Sequence, residues 1–188
     1  MIFILYCLMI RNTLEGSAML ALKFPDTKDL MKKLLTGDTF DTFLLSEASV
    51  TTFTTFVIDG TWHPDYYEPS SESPQQAGGE AAPSALSWKL VRPIVFQIIK
   101  GRHTPNSFRI VLRLADYNTE HLLHGSGLSI DPSQVGGLFL NLSYQNGEAS
   151  CTTGTSMKIF TLDKSLDRIW DDMVIRFFRS RQIIIEQL

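Results

Sequence analysis

The chain has 188 residues, 44% hydrophobic and 11% aromatic, which suits one domain with a sizeable core and argues against a disordered or fibrous protein. Its formal net charge is −3, and its two cysteines, Cys7 and Cys151, stand far apart in unlike surroundings, which argues against a disulfide framework. A protein of a reducing compartment is expected, and the cytoplasm is the predicted location.

The first ten residues, MIFILYCLMI, are apolar, too few to cross a bilayer, and preceded by no positive charge. No membrane association is expected. The codons of Glu15-Gly16 can read as a purine-rich ribosome-binding sequence at a suitable distance before Met19. Residues 1–18 are therefore expected to be a translated leader or disordered segment, with a single α+β domain over 19–188.

From Met19 the periodicity can be followed in order. Leu20, Leu22 and Phe24 alternate as a half-buried strand; Asp26 or Thr27 caps a helix through about Leu35, and Gly37 ends it. FDTFLLSEASVTTFTTFVIDG is rich in Thr, Phe and Val and reads as two antiparallel strands or one bent strand. Residues 63–85 combine Pro, Gly, Ser, Gln and Glu with almost no aliphatic residues, which predicts a flexible insertion. Ser87 caps a further helix with Leu86, Leu90, Val91, Ile94, Val95, Ile98 and Ile99 as its stripe, Pro93 being an awkward interior residue.

Phe108, Ile110, Leu112 and Leu114 then share one strand face, and Arg109, Val111 and Arg113 the other. A short helix near Asn118–Leu123 stops at Gly125-Ser126-Gly127. GLFLNLSY alternates as a strand, Asn146-Gly147 signals a hairpin, and the returning strand carries Gly154 as an expected bulge or crossing point. A long C-terminal helix from about Lys164 to Arg181 has Leu166, Ile169, Trp170, Met173, Val174, Phe177 and Phe178 as its stripe. The fold class is α+β: a curved antiparallel sheet packed by helices.

Charge is distributed unevenly. Between Glu80 and Asp116 there is no acidic residue, yet Lys89, Arg92, Lys100, Arg102, Arg109 and Arg113 lie there with His103. Without those six, the 17 Lys and Arg fall to 11 against 20 Asp and Glu, a balance near −9. On the functional reading, Lys100, Arg102, His103, Arg109 and Arg113 contact successive phosphates of a polyanion. On the plainer reading they are solubilising charges whose acidic partners sit on other elements.

Other chemistry is sparse. The sequence has no phosphate loop, dinucleotide fingerprint, C-x-x-C pair, H-E-x-x-H or G-x-S-x-G elbow, so no cofactor, metal centre or catalytic residue is expected. His121 and His124 share one predicted helix face, but two imidazoles do not close a metal site. Cys151 reads as a small buried residue and Asp171-Asp172 as a solvated helix face.

LKFPD at 22–26 and LRLAD at 112–116 begin two runs of strand, helix and hairpin, which suggests a β-α-β-β duplication. That layout resembles a domain of the DNA sliding clamps in element order only. The segments MLALKF, FDTFLLSEASVTTFTTFVIDG, IKGRHTPNSF, CTTGTS and FTLDKSLDRIWDDM resemble a family of small bacterial proteins defined by a domain of unknown function. The resemblance runs from Met19 to near the end and implies one domain but no activity.

Two functional classes follow. One is a non-enzymatic binding module whose basic face holds nucleic acid or another phosphorylated polymer. The other is a protein-interaction or self-assembly module using apolar C-terminal surface such as Ile183, Ile184 and Ile185.

Overall fold

The structure, a computed structural model, describes residues 19–63, 66, 85–101 and 103–188. The leader and most of the insertion expected from the sequence lie outside these residues. Seven strands form one antiparallel sheet: β1 (Ala21–Phe24), β2 (Phe43–Thr51), β3 (Thr55–Asp59), β4 (Ser107–Leu114), β5 (Val135–Gln145), β6 (Glu148–Met157) and β7 (Glu186–Gln187). Their spatial order is β3-β2-β4-β5-β6-β1-β7. The helices are α1 (Thr27–Leu35), α2 (Trp88–Ile99), α3 (Asp116–Ser126) and α4 (Ser165–Ser180).

Alternation decides which face is covered. Phe108, Ile110 and Leu112 of β4 stand in register with Tyr144, Leu142 and Leu140 of β5, Leu142 with Cys151 of β6, and Leu114 with Phe43 of β2. All but Tyr144 are buried, because Leu30 and Leu34 of α1, Val91 and Val95 of α2 and Trp170, Val174 and Phe178 of α4 pack over them. Two indoles fasten this layer. Trp88 Nε1 donates to the Leu34 carbonyl at 3.0 Å, joining α2 to α1, and Trp170 Nε1 donates to the Phe139 carbonyl at 3.0 Å, joining α4 to β5. A phenyl cluster extends the same core, with Phe24 on Phe178 at 5.2 Å and Phe43 on Phe177 at 5.4 Å between ring centres.

Local signals act much as the sequence predicts. Asp26 caps α1, its carboxylate accepting from the Asp29 amide at 2.9 Å. Asn146 and Gly147 both have positive φ, 54° and 84°, the combination that a two-residue hairpin between β5 and β6 requires. α3 ends where expected but begins earlier, at Asp116, directly after β4.

Several expectations are corrected. Gly154 pairs regularly with Phe139, and the irregularity in that ladder falls between Val135 and Gly137 instead. The buried residues of α2 include Trp88, which the expected stripe omitted, while Ile94 is more than half exposed. Ser87 makes no side-chain cap, because its backbone bridges to Leu44 of β2. Pro93 lies on the exposed side and does not end the helix, at the loss of one internal hydrogen bond.

Asp171 is not a simple solvated residue. It faces β6 and accepts from the Thr153 hydroxyl at 2.5 Å, and Asp167, one turn earlier, accepts from Thr155 and pairs with Lys164 at 3.4 Å. Burial raises the Asp171 carboxyl above the usual range, with the Thr153 and Leu20 hydrogen bonds opposing and the Asp167 charge adding to the rise. Asp172 is exposed.

The order strand, helix, strand, strand occurs twice, in β1-α1-β2-β3 and β4-α3-β5-β6. The pairing does not repeat. β4 lies beside β5, whereas β4, β5 and β6 separate β1 from β2.

Candidate polyanion interface on the open sheet face

The face of the sheet opposite the helices carries the residues that alternate with the core; it is polar at the Ser107 end of β4, with Val111 and Phe139 further along. Register lines up one row across five strands: Ser49 of β2 opposite Arg109 of β4, Arg109 opposite Ser143 of β5, Ser143 opposite Ser150 of β6, and Ser150 opposite Lys23 of β1. The Ser143 and Ser150 hydroxyls are hydrogen-bonded at 2.8 Å. Beside this row runs a second, Thr51–Ser107–Gln145–Glu148. Together they line a groove of about 600 Å³ whose side chains supply hydroxyls, two amides, two cations and one carboxylate. Its aromatic lining residues, Phe108 and Tyr144, belong to the core face and stack on each other with ring centres 5.4 Å apart.

The two cations differ. Lys23 is paired with Glu148 at 2.7 Å, and that hydrogen bond holds its ammonium pKa above the usual lysine value. Arg109 is exposed and has no ion pair among the described residues. Further along the same face the charge reverses, for Glu47 and Asp59 stand opposite one another beside Val111.

The basic span found in the sequence separates in three dimensions. Arg92 of α2 pairs with Asp41 at 3.2 Å, and both side chains are largely buried. Arg113 pairs with Asp116 at 3.3 Å and its side chain is only 18% exposed. Four residues separate it from Arg109, about 13 Å along the strand, so the two stand at different ends of the face they share. Lys100 and His103 are exposed on the connection from α2 into the Ser107 end of β4. There they line a second groove of about 750 Å³ with Lys28, Met31, Ile99 and Tyr144. Arg102 lies outside the described residues. Of the span's accessible cations, Lys89 stands exposed in the first turn of α2, whereas Arg109, Lys100 and His103 belong to the Ser107 end of β4.

Sequence inspection missed Lys23 and the serine row. Alternation alone puts Ser143 and Ser150 on the face away from the leucines, but only the register of β1 on β6 brings Lys23 to the same row.

The remaining candidates carry less. Cys151 is buried, and loss of solvation drives its thiol far above the usual range, so no thiolate nucleophile forms there. His121 lies against Tyr117 with ring centres 4.3 Å apart; no group of three metal-ligating residues occurs among the described residues. Ile183 is buried, Ile184 exposed and Ile185 half-buried, and the chain then pairs with β1 as β7. No described helix is long and apolar enough to cross a membrane.

No curated protein and no solved structure matches the chain, so nothing supports the likeness to sliding clamps. A family model does match, over residues 33–186. That span takes in every element from the end of α1 to β7. The chain belongs to the family of unknown function DUF5721.

Proposed function

We propose that this protein is a non-enzymatic binding module that lays a polyanion, nucleic acid or another phosphorylated polymer, across the Ser107 end of its open sheet face. The observation that carries the reading is the row in which Arg109, free of any ion pair among the described residues, and Lys23 flank the hydrogen-bonded hydroxyls of Ser143 and Ser150. Hydroxyl and guanidinium donors at strand spacing suit the oxygens of successive phosphates. Lys100 and His103, with Arg102 between them in sequence, extend the cationic edge. Arg113, held by Asp116, contributes less.

The groove turns no aromatic ring outward, so base stacking is not part of this reading. Recognition would rest on the phosphate backbone and be indifferent to sequence. With about three phosphate contacts, log K should fall against log salt with a slope near −3.

Titration of labelled single- and double-stranded oligonucleotides and of inorganic polyphosphate across a salt series tests this. Similar affinities for all three, falling steeply with salt, support the reading. A marked preference for one base composition, or no binding at low salt, would sink it.

A further inference from the structure

We infer that β3 is a self-association edge through which two copies pair as antiparallel, two-fold-related strands. At the other end of the sheet the margin is β7, a strand of two residues, whereas β3 offers five residues that, among the described residues, are bonded on one side only. The segment Ala85–Ser87 does not close it. Leu86 donates to the Gly60 carbonyl at 2.8 Å and its own carbonyl accepts from Leu45 at 2.7 Å, so the segment wedges between β2 and the end of β3, on the inner side.

The phase of the ladder fixes which groups face outward. Gly60 donates to the Ser46 carbonyl at 3.1 Å, so by alternation Phe56 and Ile58 bond to β2 while the backbone groups of Thr55, Val57 and Asp59 point away from it. A two-fold axis through Val57 pairs Val57 with its own copy. Phe56 then meets Ile58, and Thr55 meets Asp59.

All three outward residues become hydrogen-bonded pairs, and apolar residues meet apolar ones. The one charged side chain faces a hydroxyl instead of a second carboxylate. This complementarity is what selects a second copy as the occupant. Two of the devices that guard natural edges, basic side chains and proline, are missing: residues 53–60, FTTFVIDG, contain no Lys, Arg or Pro, and Phe53 and Val57 are 92% and 65% exposed.

Val57 also stands opposite Ser49, in the row of Arg109. Pairing would therefore join the two open faces into one sheet, with the two Arg109 positions five strand spacings apart, about 24 Å.

Sedimentation of the full chain over a wide concentration range, without polyanion, tests the inference. The expected result is a reversible monomer–dimer equilibrium that Val57→Lys shifts at least tenfold toward monomer, with an unchanged circular dichroism spectrum. Val57→Pro, which deletes only an outward amide, should do the same. In a Cys7→Ser background, Val57→Cys should form an intermolecular disulfide across the axis, because hydrogen-bonded partners have Cα atoms about 5.5 Å apart. A wild-type chain that stays monomeric, a dimer indifferent to both substitutions, or open-ended growth beyond the dimer would overturn it. Dimerisation should persist in Arg109→Glu, so failure of this inference and failure of the polyanion reading are separate results.

Discussion

The two faces of the sheet use the same strands for opposite purposes. On the helix side Leu140, Leu142 and Trp170 are 0–1% exposed, and their substitution should act on folding. On the other side Arg109, Ser143 and Ser150 interrupt no packing, and their substitution should act on binding. One residue along β5 separates the two regimes, since Leu142 and Ser143 are neighbours in sequence and on opposite faces. A strand's period of two thus lets one segment carry both a core and a surface under independent constraints.

The sharpest way to break this comparison is at that pair. Leu142→Ala should cost about 2–5 kcal/mol by leaving a cavity in the central core, and Ser143→Ala about 1 kcal/mol or less, for the loss of one hydroxyl contact. Urea unfolding of both variants measures the difference, and equal losses would mean that the open face is packed after all.

Trp170→Phe comes next. It retains an aromatic ring but removes the indole N–H from the Phe139 carbonyl, which should cost about 1 kcal/mol. A midpoint equal to wild type would show the bond to be dispensable.

A smaller effect concerns Asp171. Its folded-state pKa is raised, so the folded protein holds this proton more readily than the unfolded chain. The stability it contributes is full below the unfolded carboxyl value and is lost as pH rises through the folded one. Asp171→Asn keeps an acceptor for Thr153 and removes the charge. It should be slightly more stable than wild type at neutral pH, with the gap closing as the medium is acidified. A gap that widened instead would mean that the carboxylate stabilises the fold.

The smallest effect is expected from Glu148→Gln, which releases Lys23 from its ion pair. Polyanion affinity at low salt should rise about two- to threefold, the modest gain expected on freeing a lysine from an exposed pair. Fluorescence anisotropy would detect it, and a fall in affinity would exclude Lys23 from the interface.

Much of the fold was legible in the sequence because periodicity is local. The β4 alternation, the Asp26 cap and the Asn146-Gly147 turn each depend on a few neighbouring residues. Trp88 was missed because a bridge from Ser87 to Leu44, 43 positions away, sets how α2 enters the core. The burial of Asp167 and Asp171 was missed for a related reason: their partners, Thr155 and Thr153, lie on a strand whose distance from α4 no helical period encodes.

The site was legible only as charge. Six cations in a run without acids stood out, yet Arg92 and Arg113 find Asp41 and Asp116 in the folded chain. Arg109, the cation that matters most, shares its strand face with Arg113. Its place near the start of β4, away from the first turn of α3 where Asp116 sits, is what sets it apart.

The most direct test is a salt-series titration of a labelled oligonucleotide on wild type, Arg109→Glu and Arg113→Glu. A loss of at least tenfold in affinity at low salt for Arg109→Glu, with a shallower salt slope and a much smaller loss for Arg113→Glu, is the predicted result. Equal affinities for wild type and Arg109→Glu would contradict the open face as the polyanion surface.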